Sequence, residues 1–259
     1  MRFLVPLAAL MIATPALADD DFCALRPGLA NGACSAAKGD VYLETSLADW
    51  SLTRDGGQRS YSLSLGSSAL RYGLTDTTEL QLSVHPFIRQ IGHTPTSRDV
   101  TQGNGDATIG VKQRLTPKGA KLQLALNPTI TLPIATNSLG AGDVEAGVSL
   151  SADLPLSKAW TLTVMPQANW LADGDGHGHH GQALIAGSIA YQLDQQASLA
   201  LDAQLARDWD PAGAQTHAII GPSLAWMASK RLQLDLEVDH GLTQGDPDLE
   251  LIAGFAARF

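Results

Sequence analysis

The feature that most constrains this chain is a two-residue alternation of apolar and polar side chains, which begins near residue 41 and continues to the last residue. The clearest example is the stretch RLQLDLEVDH at 231–240, where Leu and Val alternate with Gln, Asp and Glu. Successive side chains of a β-strand point to opposite faces, so this period predicts strands whose two faces meet different surroundings. An all-β fold follows from it.

Twelve segments show this alternation, each about as long as the roughly 9–11 residues that a tilted strand needs to cross a bilayer. They cover residues 40–51, 60–72, 79–90, 106–115, 121–132, 143–154, 159–170, 182–192, 197–208, 215–227, 230–240 and 248–259. The alternation slips once, around Gly66-Ser67-Ser68, which predicts a β-bulge in the second segment.

The connections between these segments alternate between long and short. The long ones span 52–59, 91–105, 133–142, 171–181, 209–214 and 241–247, and the short ones carry turn residues such as Asp194-Gln195-Gln196. Bacterial outer-membrane barrels have an even number of strands, short periplasmic turns and long outer loops. The pattern predicts a closed antiparallel transmembrane β-barrel of about twelve strands over residues 40–259, with both termini in the periplasm.

Three further features favour a barrel over a soluble β-sandwich. A sandwich usually needs only seven to nine strands. Aromatic residues such as Trp50, Trp160 and Trp170 lie near segment ends, where interfacial girdles form. The last segment ends on Phe259 and resembles the C-terminal signal that the barrel-assembly machinery recognises. We therefore expect outer-membrane lipid and that machinery as partners, in the outer membrane of a Gram-negative bacterium.

The first 18 residues are typical of a signal peptide. Arg2 precedes an apolar run, and Ala16-Leu17-Ala18 supplies the small-x-small cleavage pattern before Asp19. Residues 19–39 then form a periplasmic N-terminal segment. Its two cysteines, Cys23 and Cys34, are expected to form a disulfide in an oxidising compartment. A metal pair is the poorer alternative, because no histidine lies near them.

Charge limits the range of partners and gives a first picture of the lumen. The chain has 17 Lys and Arg against 26 Asp and Glu, a formal net charge of −9, which disfavours nucleic acid as a partner. Charged residues on the polar faces of the segments are predicted to line the lumen, among them Lys112, Arg114, Asp153, Asp202, Asp235, Glu237 and Glu250. Acidic groups predominate, so an open lumen would favour cations or neutral solutes over anions. The alternative is that opposite charges pair and plug the barrel, leaving a structural or surface-binding protein.

Two local features are candidate chemical sites. The glycine-rich stretch 173–181 contains His177, His179 and His180, which could bind Zn²⁺, Cu²⁺ or Ni²⁺. The competing interpretation is a flexible outer loop whose ligands are not organised. Ser83 and His85 could belong to a barrel hydrolase, but a hydrogen-bond network in the lumen explains them better. Neither Gly-x-Ser-x-Gly nor His-Glu-x-x-His occurs in the sequence, which therefore predicts no enzyme activity and no cofactor.

Three stretches resemble an outer-membrane family labelled for the phenol meta-degradation pathway. They are GDATIGVK at 105–112, LNPTITLPIAT at 126–136 and DHGLTQGDPDLELIAGFAARF at 239–259, and the similarity extends over about 60–259. The resemblance implies a transporter-type barrel that passes small hydrophobic or aromatic compounds, and it brings no catalytic residues. The expected function is thus an outer-membrane channel or passive transporter for small solutes.

Overall fold

The computed structural model describes residues 22–259, so the predicted signal peptide at 1–18 lies outside the described residues. Fourteen β-strands form one sheet. They are Val41–Asp55 (β1), Gln58–Gly73 (β2), Thr78–Val84 (β3), Phe87–His93 (β4), Arg98–Gly103 (β5), Ala107–Arg114 (β6), Gln123–Leu132 (β7), Glu145–Pro155 (β8), Trp160–Ala172 (β9), His179–Gln192 (β10), Ala197–Asp208 (β11), Gln215–Ser229 (β12), Leu232–Gly241 (β13) and Leu249–Arg258 (β14).

The sheet closes because β1 pairs with β14 on one side and with β2 on the other. Each strand pairing is antiparallel. Residues 68–73 of β2 pair with β3, and residues 59–65 of the same strand pair with β4. In turn, β3 pairs with β6 and β4 pairs with β5. β4 therefore continues the line of β3, and β5 continues the line of β6. The fourteen strands thus occupy twelve positions around the wall. The predicted closed barrel of about twelve strands is confirmed.

The wall is interrupted where β3 passes into β4. On β2, Ser68 pairs with Val84 of β3 and Leu65 pairs with Phe87 of β4. Gly66 and Ser67, which lie between them, have no paired residue on β3 or β4. Pro86 lies in this gap and has no backbone N–H to donate. Gly66 has a φ of 71°, a left-handed conformation that favours glycine. The irregularity falls at the position where the sequence predicts a bulge.

The wall is apolar outside and polar inside. On β13, Leu236 and Val238 are 54% and 41% exposed, whereas Glu237 and Asp239 are 6% and 1% exposed. In a closed barrel the side chains that point away from the axis are the exposed ones, so leucine and valine face lipid and the carboxylates face the lumen. Within residues 22–259, no helix is long and apolar enough to cross a membrane.

Two of the expected long loops are instead strand extensions. β1 and β2 are joined by Gly56-Gly57 alone, both with positive φ, in the two-residue hairpin turn that glycine favours. The 91–105 stretch contains the end of β4, a tight turn and β5. These extensions alternate as strands do, but their outward residues are polar or charged at the tip. Apolar alternation therefore does not reveal them.

Candidate functional site: the N-terminal segment in the lumen

The residues that precede β1 contact the lumen face of the barrel. We use the term lumen segment for residues 22–37. The predicted disulfide between Cys23 and Cys34 is present, with Cα atoms 5.9 Å apart, and it closes most of the segment into a loop. Cys23 and Ala36 pack against Tyr42 of β1, and Ala30 packs against Met165 of β9. The segment thus touches opposite parts of the wall.

Arg71 of β2 anchors one end of the lumen segment. Its guanidinium donates to Glu44 at 2.5 Å, to Glu79 at 2.7 and 2.9 Å, and to the carbonyl oxygen of Cys23 at 2.6 Å. The same two carboxylates accept backbone N–H groups of the segment, Glu44 from Leu25 and Glu79 from Ala36. Arg71 and Glu79 are 1% and 0% exposed. A buried charge of this kind is stable only when it is paired and hydrogen-bonded, as it is here.

Arg26 anchors the segment on β13, three strands from β2 around the wall. Its Nη2 lies 2.7 Å from Oδ1 of Asp235 on β13, and its Nε donates to the same carboxylate at 3.0 Å. This two-pronged contact is the geometry in which arginine binds carboxylates most strongly. Arg26 Nη1 donates to Ser46 at 2.7 Å, and its carbonyl oxygen accepts a 2.7 Å hydrogen bond from Gln233. A side chain at Gly254 would overlap the guanidinium, so glycine makes room for it.

Charged lumen residues also hold the middle of the segment. Glu237 accepts the Gly28 N–H at 3.0 Å, and Asp153 accepts the Ala33 N–H at 2.7 Å. The Lys112 ammonium donates to the carbonyl oxygen of Gly32. Backbone groups that enter a lumen need partners, because unpaired buried N–H and C=O groups are costly. The wall supplies these partners as ionisable side chains.

The structure places the seven predicted lumen residues as follows. Lys112, Asp153, Asp235 and Glu237 contact the lumen segment directly. Asp202 is 1% exposed, lies beside Gly28 and accepts a 2.8 Å hydrogen bond from Ser223. The remaining two contact other parts of the wall: Arg114 donates to the Asp76 carbonyl at 2.7 Å, and Glu250 lies opposite Asp239 in the β13–β14 register.

The sequence-based list missed Arg71 and Glu44, which make the strongest anchor. Arg71 lies beyond the Gly66 irregularity, and a bulge changes which residues of a strand face inward. Glu44 lies near the start of the first segment, on its polar face, and the sequence alone does not show which residue it pairs with. Their pairing across β1 and β2, with Glu44 opposite Ala69, requires the register of those strands.

The lumen segment separates cavities at the two ends of the barrel. Cavities of about 590 and 200 Å³ lie on the short-turn side and are bounded by Cys23, Cys34 and Pro27, among others. Cavities of about 220 and 370 Å³ lie towards the long loops and share Asn31 of the segment as a wall. The segment therefore acts as a partition across the lumen.

The loop side of the lumen carries an acidic patch that the segment does not neutralise. The patch comprises Asp49, Asp202, Glu237, Asp239 and Glu250. Asp239 is 1% exposed and shares a hydrogen bond with Glu237, and no ion pair with a basic side chain is found for either residue in the part of the chain that the structure describes. The only arginine of the segment, Arg26, is paired with Asp235 instead. This side of the partition therefore carries acidic groups for which no ion pair is found among residues 22–259.

The three histidines of the 173–181 stretch do not converge. The His179 ring stacks on Trp170 with centroids 3.6 Å apart, and its Nε2 lies 2.9 Å from the Val144 carbonyl oxygen. His180 lies between Asp173 and Asp208, 2.9 Å from each. Among residues 22–259 no group of three His, Cys, Asp or Glu side chains is arranged to hold a metal ion. His179 and His180 thus fix the base of the loop.

Two loop carboxylates tie the outer connections together. Backbone N–H groups of Ala212 and Gly174 donate to Asp210 and hold its pKa below the usual value. Burial alone would raise the pKa of Asp246, but hydrogen bonds from Thr243 and His217 outweigh it and lower that pKa. A carboxylate that accepts several hydrogen bonds is stabilised in its charged form. Asp210 therefore joins two neighbouring loops, and Asp246 ties its loop to β12.

Ser83 and His85 are not arranged as a nucleophile and its base. His85 Nδ1 lies 3.1 Å from the Ser67 hydroxyl, across the interruption between β2 and β4. Ser83 lines the 220 and 370 Å³ cavities with Gln81. These contacts fit the hydrogen-bond network that the sequence favours.

Comparison with solved structures places this fold among outer-membrane barrels. The COG4313 outer membrane channel from Pseudomonas putida F1 aligns with a TM-score of 0.66 at 16% identity, covering 86% of this chain and 96% of that one. The NanC porin gives 0.54 at 11% identity, covering 81% and 98%. The translocator domain of the autotransporter NalP from Neisseria meningitidis gives 0.55 at 13% identity, covering 86% and 90%.

No curated protein sequence matches the chain significantly. A family profile does, over residues 24–259, so the match includes nearly all of the lumen segment as well as the barrel. The fold and this match together place the protein in the outer membrane. The chain belongs to the family described as "Putative MetA-pathway of phenol degradation".

Proposed function

We propose that this protein is a passive outer-membrane channel for small solutes, with the lumen segment as its internal barrier. The observation that carries the proposal is the partition itself, which is held by lumen charges and has cavities on both sides. A purely structural barrel has no need for separate cavities around a tethered segment. The solved structures of similar fold include a protein described as an outer-membrane channel, and the proposal extends that role to this chain.

The loop-side cavities fit small aromatic solutes that carry a hydroxyl group. A cavity of about 150 Å³ holds benzene, and the two loop-side cavities measure about 220 and 370 Å³. Their walls combine hydroxyl and amide side chains, such as Thr108 and Asn127, with apolar groups such as Leu25 and Ile252. Phenolic compounds match this lining and the description of the family, so we propose them as the solute class.

Passage from one set of cavities to the other requires the partition to shift. Of the two arginine anchors, Arg26 is the more exposed, because its side chain is 16% exposed in the ion pair and water can compete for it. The Arg71 end is more deeply buried and more heavily bonded. We therefore propose that the Arg26 side of the segment moves while the Cys23 side remains attached.

Planar-bilayer recording and vesicle uptake of phenol test this function. The wild-type protein should conduct weakly and admit phenol faster than glucose. An Arg26→Gln variant should show higher conductance, because it releases the segment from Asp235. Arg231→Gln, an exposed turn substitution at the short-turn end, is the matched control and should behave as wild type.

The alternative from the sequence, a structural or surface-binding barrel with a plugged lumen, has one observation in its favour. The same anchors that define the partition also fill the lumen between β2 and β13. Under that alternative, neither the wild type nor Arg26→Gln would admit any solute above the rate of vesicles without protein. Such a result would overturn the channel proposal.

A further inference from the structure

A row of basic side chains crosses the outer tips of four adjacent strands. Arg54 of β1 lies directly opposite Arg59 of β2, Arg59 opposite His93 of β4, and His93 opposite Arg98 of β5. Directly paired residues of an antiparallel sheet project from the same face. We name these four residues the basic row. The three arginines are exposed and His93 is half-buried.

The basic row lies on the outward face of the barrel. Trp50 precedes Arg54 by four residues on β1, so after two alternations both side chains point the same way. Trp50 pairs with Leu251 of β14, which is 42% exposed on the lipid-facing side. A ring contact of 6.3 Å joins Trp50 to Tyr61, and a second of 5.9 Å joins Tyr61 to His93. The row and the aromatic residues therefore share one continuous outer surface.

This surface changes from apolar to basic along the strands. The row of paired residues next to the basic row is Leu52, Tyr61, Ile91 and Val100, which are all apolar or aromatic. At about 3.4 Å per residue, Arg54 lies roughly 13 Å further along its strand than Trp50. Tryptophan and tyrosine mark the membrane interface in barrels. The basic row thus lies at the level of lipid headgroups or just above them.

Residues 22–259 do not supply the counter-charge for this row. Like charges directly opposite one another destabilise a sheet. Within residues 22–259, no ion pair is found for Arg54, Arg59 or Arg98. Asp55 and Asp99 adjoin Arg54 and Arg98 but project from the opposite face, and Asp55 accepts a 2.6 Å hydrogen bond from Gln244. Three guanidinium groups on a protein of net charge −9 therefore lack an acidic partner in the described part of the chain.

We propose that the basic row binds the phosphate groups of a phosphorylated glycolipid in the outer leaflet. Guanidinium groups form two-pronged hydrogen bonds with phosphate, and several of them on neighbouring strands match a headgroup with more than one phosphate. The apolar row beneath would contact the acyl chains of the same lipid. The site lies on the outside of the wall and is independent of solute passage through the lumen. It depends on the long loops facing the cell exterior.

The experiment measures binding of lipid A with two phosphates to the purified full-length mature barrel in detergent, by thermal stabilisation and by native mass spectrometry. The test variant replaces Arg54, Arg59 and Arg98 together with Gln. The control variant replaces Lys158, Lys230 and Arg231 with Gln, which removes the same charge from exposed turns at the opposite end. Heat-dependent gel mobility checks that both variants are folded.

We expect the test variant to bind lipid A at least about tenfold more weakly than wild type, and the control variant to bind normally. Replacing the three arginines with Lys should give an intermediate loss, since charge is kept but two-pronged contacts are not. Equal binding by the wild type and the test variant would overturn the proposal. Equal binding of dephosphorylated lipid A, or full competition by inorganic phosphate at the same concentration, would also overturn it.

Discussion

Arg71 illustrates how single residues decide the stability of the lumen. Its guanidinium forms ion pairs with both Glu44 and Glu79, and all three side chains are at least nine-tenths buried. Removing one partner from a buried ion pair leaves an uncompensated charge and typically costs about 3–5 kcal/mol. Here one cation serves two carboxylates and a segment carbonyl, so its loss affects both the wall and the partition.

We therefore predict that Arg71→Met lowers the free energy of unfolding by about 3–5 kcal/mol. Urea unfolding in lipid vesicles measures this change. Arg231→Met is the control and should change stability by less than about 0.5 kcal/mol, because the residue is exposed. If the cause is unpaired charge, adding Glu44→Gln and Glu79→Gln to Arg71→Met should restore part of the loss. If the triple variant recovers none of the lost free energy of unfolding, the loss comes from packing and not from unpaired charge.

The acidic lumen residues divide into two groups with different expected roles. Asp235 is paired with Arg26, whereas Asp239 and Glu250 face the loop-side lumen without a cationic partner in the described part of the chain. We predict that Asp239→Asn with Glu250→Gln lowers cation-over-anion selectivity, because the unneutralised field is removed. Asp235→Asn should raise conductance and leave selectivity nearly unchanged. Reversal potentials under a salt gradient measure both effects, and a selectivity loss confined to Asp235→Asn would contradict this division.

At the scale of elements, the disulfide loop determines how firmly the partition stays in place. Cys23 and Cys34 are separated by 11 residues, and closing a loop of about 15 residues is worth about 3 kcal/mol in the chain-entropy model. The barrel strands do not depend on this bond, because their ladders are made between strands. The bond therefore acts on the order of the lumen segment.

We predict that replacing both cysteines with alanine increases hydrogen–deuterium exchange in residues 22–37 while exchange in β7 to β12 stays unchanged. Open-state conductance should rise in the same variant, because the partition loses its internal restraint. Exchange followed by mass spectrometry on the vesicle-embedded protein resolves the two regions. Equal exchange in the variant and the wild type would show that the wall contacts alone order the segment.

Sequence alternation predicted those strands whose outer face meets lipid. β13 is the clearest case, since Leu234 and Leu236 face outward and Asp235 faces inward. The end of β4 and all of β5 escaped this signal because they extend beyond the apolar zone, where Arg59, His93 and Arg98 occupy the outward positions. The strand period persists there, but the outer residues no longer differ in polarity from the inner ones.

The alternation of apolar and polar residues could not predict the partition. The carboxylates of Glu79, Asp153 and Glu237 accept backbone N–H groups of the segment, and a backbone group has no sequence signature. Alternation showed that these charges face the lumen. It did not show that the N-terminal segment fills the space between them. The disulfide was predictable because two cysteines in an exported chain have few other fates.

For the whole molecule, the last strand helps to close the barrel and also carries the predicted assembly signal. The N–H of Phe259 donates to the Val41 carbonyl oxygen at 2.9 Å, so the end of β14 helps close the barrel against β1. Its ring is 68% exposed on the outer surface. An exposed terminal ring adds little to the stability of the finished barrel, which fits a role in recognition by the assembly machinery.

We accordingly predict that Phe259→Ala sharply lowers the amount of assembled barrel in cells but changes urea stability of the refolded protein by less than about 1 kcal/mol. Leu251→Ala, on the outer face of the same strand, is the matched control and should assemble normally. Quantitative gel analysis of outer-membrane fractions measures assembly. Normal assembly of Phe259→Ala would contradict the proposed contact between Phe259 and the assembly machinery.

The orientation of the barrel decides which side of the partition a solute meets first. The disulfide of the lumen segment lies towards the short turns, beside Asp76 and Gly119, and a disulfide requires an oxidising compartment such as the periplasm. We therefore predict that the long connections, including 209–214, face the exterior. The acidic patch and the 220 and 370 Å³ cavities would then receive solutes from outside.

Single cysteines at two exposed positions test this orientation. A Cβ atom added at Gly213 would meet open space, and the φ of this glycine is not positive, so Gly213→Cys should fold without strain. Gln195→Cys is its counterpart in the short turn between β10 and β11. A membrane-impermeant maleimide on intact cells should label the cysteine at 213 and leave that at 195 unlabelled until the outer membrane is permeabilised. The reverse labelling would show that the barrel has the opposite orientation, with the acidic patch towards the periplasm. It would also overturn the proposal that the basic row binds a lipid of the outer leaflet.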